Sequence, residues 1–208
     1  MDTPPRKKGE ISREKIIAAA YRLFLKQGYH ATTMRQVVQE AGLTMGGIYA
    51  HFENKEAIWI AVLIEKHPFH DILPAIEAAR GETNAALMRD AAHRMVASIG
   101  AKEELLNLMF IEFVEFHGQH FQNVIPALIP QFALVGQRFN QMQGSLRPLP
   151  PLEIVRSFFG LFFSYFMTEM ILGSQAKVLF TPQTLDHFVD IYLYGILAEN
   201  DPSRNNHV

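Results

Sequence analysis

The sequence of 208 residues contains no cysteine. This absence excludes disulfides and thiolate metal sites, and it favours a reducing compartment, the cytoplasm. Long apolar runs are missing as well, since the uncharged, mainly apolar segment at residues 157–168 covers only twelve residues. A membrane span needs about 20 such residues. We therefore expect a cytoplasmic protein without a membrane segment, in which residues 157–168 belong to a buried core helix.

An excess of one charge is also missing, because the net charge is only −2. The two signs are nevertheless distributed unevenly along the chain. Residues 1–66 carry ten Lys and Arg against seven Asp and Glu, whereas residues 67–208 carry nine against fourteen. A basic end is the one that would meet a polyanion such as DNA. The bias is modest and serves only as support for the motif described below.

Motifs of the common enzyme classes are absent. The sequence has no glycine-rich phosphate loop, no nucleophile elbow and no pair of Glu-x-x-His motifs, which a di-iron helical bundle requires. Two histidine clusters occur, His67 with His70 and Asp71, and His117 with His120, but neither has a second ligand group at a fixed spacing. We therefore expect neither an enzyme, nor a cofactor, nor a bound metal ion.

Helical periodicity runs along nearly the whole chain, and strand alternation is almost missing. We predict an all-α fold of about nine helices, with a three-helix head at the N-terminus and a helical body after it. The first helix follows Ser12 and ends at Gly28, and the fourth runs from Asn54 to about Lys66.

Two prolines, Pro68 and Pro74, interrupt the helical pattern and place the domain junction at residues 67–75. The predicted domains are therefore residues 1–66 and residues 67–208. Apolar residues at helical spacing predict five further helices in the second domain, near residues 83–99, 103–118, 121–143, 152–173 and 182–198.

The pattern of a helix-turn-helix follows the first helix. A capping box at Thr33 starts one short helix, and Gly42 ends it. Only Leu43 separates this glycine from Thr44, which caps a third short helix that we expect to reach Phe52. In such a motif the second helix enters the major groove of DNA, so the pattern predicts a DNA reader.

Residues 28–56, GYHATTMRQVVQEAGLTMGGIYAHFENKE, resemble the DNA-binding signature of the tetracycline-repressor (TetR) family. The matching positions are Gly28, Thr33, Ala41, Gly42, Gly46, Tyr49, His51, Phe52 and Lys55. The resemblance implies a repressor that binds double-stranded operator DNA as a homodimer. It also implies that residues 67–208 bind a small-molecule effector and form the dimer. The alternative is a TetR-like activator or a regulator controlled by a protein partner, which the sequence does not separate from a repressor.

The resemblance and the chemistry of the side chains give the matching residues roles on DNA. Thr33 and Thr44 present hydroxyls and free backbone N–H groups to phosphate oxygens. Tyr49 and His51 face outward and donate to phosphate as well. Lys55, at the start of the fourth helix, supplies a point charge to the DNA backbone.

The face that reads bases contains one strong candidate. Arg35 is the residue that we expect to contact base edges, through two hydrogen bonds to guanine. Met45, Gly46 and Gly47 have no side chain that can hydrogen-bond a base. Either the glycines allow the backbone to approach DNA while Met45 contacts a thymine methyl group, or specificity rests more on Arg35 and on DNA shape.

Two apolar concentrations in the second half predict a pocket for a small, lipophilic effector. The candidate lining residues come from the helices near 103–118 and 152–173, and they are Met109, Phe110, Phe113, Phe116, His117, Phe159, Phe162, Phe166 and Met170. Ordinary core packing of these residues is the alternative. Glu112, Glu115 and Glu169 leave room for a cationic effector.

The helix near 152–173 has a second face, a stripe of small residues that allows another helix to approach closely. We expect this stripe at the subunit interface and the aromatic face directed inward. The resemblance implies a dimer formed by the last two helices. The predicted interface residues are Ser157, Gly160, Ser164, Thr168, Phe188 and Tyr192.

Overall fold

The computed structural model describes residues 8–100, 104–141, 146–176 and 183–196. These ranges contain ten α-helices, one short 3-10 helix and no β-strand. The helices are α1 (Lys8–Gln27), α2 (Met34–Ala41), α3 (Met45–Tyr49), α4 (Lys55–Lys66), α5 (Phe69–Glu77), α6 (Asn84–Gly100), α7 (Glu104–Phe116), α8 (Phe121–Gln141), α9 (Pro151–Leu172) and α10 (Thr184–Ile196), with the 3-10 helix at Gly173–Gln175. The predicted all-α fold is confirmed.

The described helices exceed the predicted nine by one, because α5 occupies the segment expected to be the domain junction. Pro74 lies inside this helix, and a proline in a helix interior costs about 3 kcal/mol. The same helix buries Ile72, Leu73 and Ile76 almost completely, and each such side chain contributes about 1.5–3 kcal/mol when buried. Burial outweighs the lost backbone hydrogen bond, so the prediction of an interrupted segment is wrong.

The first helix also starts earlier than predicted, at Lys8 rather than after Ser12. Glu10 lies in its first turn, where a carboxylate interacts favourably with the helix dipole. Further along, α1 buries Ile16 and Phe24 completely, which is the apolar face that the periodicity predicts.

The described residues form two compact units, and the first comprises the described parts of residues 1–70 and 102–126. It contains α1 to α4, α7 and the beginning of α8. Trp59 of α4 is fully buried at its centre. The Trp59 ring packs edge-on against Phe24 of α1, with centroids 5.2 Å apart, and stacks on Phe116 of α7 at 5.5 Å. An aromatic residue of α7 therefore belongs to the core of the unit that carries the helix-turn-helix.

The second unit comprises the described parts of residues 71–101 and 127–208. Its core centres on Phe158 of α9, whose ring lies 5.8 Å from Phe139 of α8 and 4.7 Å from Phe162. The Tyr192 hydroxyl of α10 donates to the carbonyl oxygen of Ile154 at 2.7 Å, which fixes α10 against α9. Because residues 102–126 join the first unit, the two units do not coincide with the predicted division after residue 66.

The apolar helix predicted to be buried is buried on one face only. Among the described residues, the stretch Pro151–Gln175 is long and apolar enough to cross a membrane by length and composition, and 28% of its most apolar window is buried. Phe158 and Phe162 are almost fully buried, whereas Phe163 is 41% and Ile171 is 73% exposed. The second unit therefore uses the aromatic face of α9 as core and leaves the other face open.

A close approach of α8 to the start of α9 requires glycine at position 136. A Cβ atom added there would lie 2.8 Å from the carbonyl oxygen of Pro151 and 2.9 Å from its Cβ. We expect Gly136→Ala to lower the free energy of unfolding by about 1–3 kcal/mol, the usual cost of overpacking. Urea unfolding followed by circular dichroism measures this.

The control is Gly9→Ala, because a Cβ on this exposed α1 glycine would lie 3.8 Å from its nearest neighbour, the Cε1 atom of His51, which is an ordinary contact. Alanine is the better helix former by about 0.8–1 kcal/mol, so this variant should be at least as stable as the wild type. Equal destabilisation by the two substitutions would contradict the close approach at Gly136.

Candidate nucleic-acid interface

The helix α2 starts and ends as its sequence predicts. The backbone N–H of Gln36 donates to Thr33 Oγ1 at 3.3 Å, and the Gln36 Oε1 atom accepts from the Thr33 N–H at 2.8 Å. This pair is the predicted capping box, which is confirmed. Gly42 ends the helix with φ +65°, the left-handed conformation that glycine adopts without strain. Local chemistry alone therefore sets both ends of α2.

The second helix of the motif, α3, is short. Thr44 caps it, since its Oγ1 accepts from the Gly47 N–H at 3.2 Å. The helix ends at Tyr49 instead of reaching Phe52 as predicted, although the Phe52 N–H still bonds to the Ile48 carbonyl at 2.9 Å. Ile48 is fully buried, and Met45 and Tyr49 are 40% and 54% exposed. Helix α3 thus keeps the Ile48 side chain inside and presents Met45 and Tyr49 to solvent.

All nine predicted DNA-binding residues belong to the first unit, where they lie in α2 and α3, at the N-caps of these helices, in the turn after α3 and at the start of α4. Most of them are exposed, namely Thr33, Arg35, Thr44, Met45, Gly46 and Tyr49. Gly47, His51 and Lys55 are half-buried. The exposed guanidinium, hydroxyls and backbone of this face can donate hydrogen bonds to phosphates and base edges.

Lys55 has contacts inside the unit. Its ammonium donates to the carbonyl oxygens of Tyr29 at 2.7 Å and Thr32 at 2.5 Å, and it lies 4.0 Å from the centre of the Tyr29 ring. Burial lowers the pKa of Lys55, while the nearby carboxylate of Glu115 acts in the opposite direction. Burial, followed by the charges of Glu56 and Glu115, raises the pKa of Tyr29 to about 12. Through these hydrogen bonds Lys55 links α4 to the turn before α2.

The α7 residues Glu112 and Glu115, which the sequence placed near an effector, and His120 after α7 make contacts inside this unit that the sequence did not predict. Glu112 is fully buried and accepts from the Trp59 indole N–H at 2.7 Å and from the His120 backbone N–H at 2.8 Å. Glu115 accepts from the backbone N–H groups of Tyr29 and His30 at 3.1 and 2.9 Å. A carboxylate within an apolar helix was the available signal, since a buried one needs partners.

The predicted pocket residues divide between the two units. Met109, Phe110, Phe113, Phe116 and His117 belong to the first unit. Phe116 packs in its core, with its ring 4.5 Å from the ring of Tyr29, and Phe113 lies 5.1 Å from Phe121. For Phe116 the contacts are those of ordinary core packing.

The other predicted pocket residues belong to the second unit. Phe162 and Phe166 are buried, Phe159 is half-buried and Met170 is 41% exposed. The aromatic face of α9 is thus directed into its own unit.

The residues predicted at the dimer interface differ in exposure. Ser157, Gly160 and Ser164 are exposed, and Thr168 and Phe188 are half-buried. The hydroxyls of Ser157 and Thr168 donate to carbonyl oxygens of their own helix, at 3.0 and 2.9 Å, so the stripe can approach an apolar surface.

Tyr192, also predicted at the interface, is 6% exposed and contacts α9 of the same chain. The hydrogen bond of its hydroxyl is therefore internal to the chain. Burial raises the pKa of Tyr192 to about 12, against the opposite effect of the Ser157 hydroxyl, so the phenol keeps the proton that it donates to Ile154.

His67, which follows α4, and His70, in the first turn of α5, contact backbone atoms. His67 Nδ1 accepts from the Phe69 N–H at 3.3 Å, and His70 Nε2 lies 2.6 Å from the Ile64 carbonyl oxygen. Burial, and then the charge of His70, lowers the pKa of His67 to about 4. Within the described part of the chain, no group of three or more His, Asp or Glu side chains could hold a metal ion.

Comparison with known sequences points to one family. Residues 16–62 match the family model described as bacterial regulatory proteins, tetR family. The chain is 23% identical to the HTH-type transcriptional regulator YvkB of Bacillus subtilis over 198 residues, which cover 90% of this chain and 98% of YvkB. It is 35% identical to the HTH-type transcriptional regulator TtgR of Pseudomonas putida over 79 residues, which cover 38% of each chain.

Solved structures share the fold. A candidate TetR-family transcriptional regulator from Mesorhizobium loti matches with a TM-score of 0.70 at 19% identity, over 93% of this chain and 100% of that chain. NalD, the secondary repressor of the MexAB-OprM multidrug efflux pump in Pseudomonas aeruginosa, matches with a TM-score of 0.62 at 22% identity, over 92% and 100%. At these identities the likeness shows the fold.

The internal contacts of Lys55 predict a loss of stability on its removal. We expect Lys55→Met to lower the free energy of unfolding by about 1.5 kcal/mol, because two carbonyl oxygens lose a charged donor. The control is Lys66→Met, which removes the same charge from an exposed position at the end of α4. If urea unfolding gives the same free energy of unfolding for both variants, the hydrogen bonds of Lys55 to Tyr29 and Thr32 do not stabilise the protein.

The buried His67 predicts a pH dependence of stability. Its pKa in the folded protein is about 4, against 6.5 for the free side chain, so only the unfolded chain takes up this proton between those values. The contribution of neutral His67 is therefore complete above pH 6.5 and is lost as the pH falls toward 4, by up to about 1.4 kcal/mol per pH unit.

Urea unfolding of His67→Asn between pH 7.5 and 4 measures this contribution. The variant should lose less stability than the wild type below pH 6.5, whereas His187→Asn, at an exposed position of α10, should follow the wild type. Parallel curves for wild type and His67→Asn would show that His67 binds its proton equally well in both states.

Proposed function

Since this chain belongs to the tetracycline-repressor (TetR) family of transcriptional regulators, we propose that it is a repressor that binds a palindromic operator as a homodimer. A small molecule bound within residues 67–208 releases it from DNA. The chain is a regulator and not an enzyme, as the sequence predicts, because the relatives that it matches are transcriptional regulators. The observation that carries the proposal is the exposed face of the helix-turn-helix in the first unit.

The proposed contacts with DNA use the hydrogen-bond donors of this face. The exposed Thr33, Thr44 and Tyr49 and the half-buried His51 hold phosphates, and the exposed Arg35 reads base edges. We assign Lys55 to the turn before α2 instead of to phosphate, because its ammonium already donates to two carbonyl oxygens.

The two glycines of residues 45–47 allow the backbone to approach the major groove of DNA closely. A Cβ at Gly46 has no neighbour within 4 Å, so the missing side chain leaves open space on this side of α3. Met45, which is 40% exposed, is placed to touch an apolar group such as the thymine methyl.

Dimerisation through α9 and α10 is supported by apolar side chains that the second unit leaves uncovered. On α9, Phe163 is 41% and Ile171 73% exposed, and on α10, Ile191 is 66% and Tyr194 37% exposed. Exposed apolar surface of this extent marks an interaction site. The stripe at Ser157, Gly160 and Ser164 lies on the same helix as Phe163 and allows close approach.

The effector is proposed to be lipophilic and to reach the aromatic face of α9. Phe159, Phe162, Phe166 and Met170 supply apolar surface, and Glu169 leaves room for a cationic ligand. Two proteins that share the fold are repressors of multidrug efflux pumps, namely NalD and SmeT, the latter of Stenotrophomonas maltophilia. This supports the proposal that the present chain is also a repressor. Release follows if the effector binds the DNA-incompetent state more tightly, because only a difference in affinity shifts the population.

The test begins with duplexes selected from a random-sequence pool by the full-length protein. We expect the selected sites to be palindromic, with half-sites one helical turn apart, about 34–36 Å, or a multiple of it. We expect Ile191→Glu to be monomeric in sedimentation and to bind the selected duplex at least tenfold more weakly, while it binds a single half-site as before.

The control is Leu134→Glu, which places the same charge on an exposed residue of α8. It should remain dimeric and bind DNA like the wild type. A selected site without two-fold symmetry, or a dimer that survives Ile191→Glu, would contradict the proposed assembly.

A further inference from the structure

The turn that leads into α2 is held by a carboxylate from a distant part of the chain. Glu115 of α7 accepts from the backbone N–H groups of Tyr29 at 3.1 Å and of His30 at 2.9 Å, using one oxygen for each. Tyr29 and His30 precede Glu115 by 86 and 85 positions in the sequence. The Glu115 side chain is only 18% exposed, and its bond to the Tyr29 N–H is partly buried, whereas its bond to the His30 N–H is exposed.

The opposite side of the same turn is held by a cation. Lys55 of α4 donates to the carbonyl oxygens of Tyr29 and Thr32, so the backbone of residues 29–32 is bound by an anion at its N–H groups and by a cation at its carbonyls. Hydrogen bonds to ionised groups are roughly twice as strong as neutral ones. The turn is thus fixed by two charged side chains, neither of which belongs to the helix-turn-helix itself.

The glycine before the turn leaves room for this contact. Gly28 has φ +79°, and a Cβ atom added to it would lie 3.0 Å from Glu115 Oε1. Glycine is therefore needed both for the left-handed backbone and for the approach of the carboxylate. On the other side the turn ends at Thr33, the N-cap of α2, two residues before Arg35.

We propose that Glu115 is a positioning residue for DNA recognition. By holding residues 29 and 30 it sets the direction in which α2 leaves the turn, and with it the placement of Arg35 and of α3. The inference rests on the proposed function of the chain as a DNA-binding regulator. It assigns to α7, outside the predicted domain 1–66, a direct part in shaping the reading face.

Electrostatics alone predicts the opposite effect of removing Glu115. A carboxylate repels DNA phosphates, so a neutral side chain should strengthen binding to every duplex. A positioning role predicts weaker binding to the preferred sequence, because in glutamine an NH2 donor replaces one of the two acceptor oxygens and faces a backbone N–H. The sign of the change in affinity therefore separates the two explanations.

The experiment compares full-length Glu115→Gln with Glu53→Gln, which neutralises an exposed carboxylate of the same unit. The probes are a duplex selected from a random pool by the wild type and a random-sequence duplex of equal length. We expect Glu115→Gln to bind the selected duplex about tenfold more weakly, the effect of losing one hydrogen bond to a charged group. Binding of both variants to the random duplex should stay the same or rise.

Hydrogen exchange of the DNA-free protein provides the readout that a general loss of stability would not give. We expect the amides of Tyr29 and His30 to exchange about tenfold faster in Glu115→Gln, with the amides of α1 and α4 unchanged. Tighter binding of the selected duplex by both variants, or unchanged exchange at Tyr29 and His30, would overturn the proposal.

Two further outcomes are decided by the same design. If Glu115→Gln does not fold, Glu115→Asp keeps the charge and shortens the reach, and unchanged affinity of that variant for the selected duplex would refute a positioning role. If the wild type selects no duplex, the proposed function fails, while the exchange of Tyr29 and His30 still shows whether Glu115 holds the turn.

Discussion

A carboxyl group without solvent exposure organises the DNA-binding unit. Glu112 lies among the core residues of this unit, where leaving it without hydrogen-bond partners would cost several kcal/mol. Its partners are the Trp59 indole N–H at 2.7 Å, the His120 backbone N–H at 2.8 Å and His120 Nδ1 at 3.0 Å. Because these groups come from α4 and from the segment after α7, the bonds to one buried carboxyl group hold α4, α7 and this segment in a single arrangement.

Glu112 and His120 together link two residues of α4, Trp59 and Glu56. His120 Nε2 lies 3.0 Å from Glu56, which is in the first turn of α4, three residues before Trp59. The chain of contacts from Trp59 through Glu112 and His120 to Glu56 therefore begins and ends on α4. A closed set of polar contacts resists displacement of any single member, because moving one leaves its neighbours without partners. This rigidity is what the helix-turn-helix needs from its support.

Features set by neighbouring residues could be predicted from the sequence. The capping box at Thr33, the left-handed Gly42 and the exposed face of α2 and α3 each depend on residues within one or two helical turns. The place of α7 could not be predicted in this way, since Trp59 and Glu112 are 53 positions apart. Periodicity tells which face of a helix is apolar and leaves open what covers it, so Phe116 fitted a ligand pocket and a core equally well. Lys55 shows the same limit for charge, because an ammonium suits a phosphate or two carbonyl oxygens.

The place of α7 has a consequence for the order in which the protein is made. A ribosome adds about 5–20 residues per second, so several seconds separate the synthesis of α4 from that of His120. During this interval the nascent chain holds a complete helix-turn-helix sequence whose Trp59 and residues 29–30 have not met Glu112 and Glu115. Closing so long a loop also carries an entropic cost that short-range contacts avoid. The turn before α2 therefore reaches its final form only after Glu115 and His120 have been translated, and a product truncated before α7 would carry the motif without these contacts.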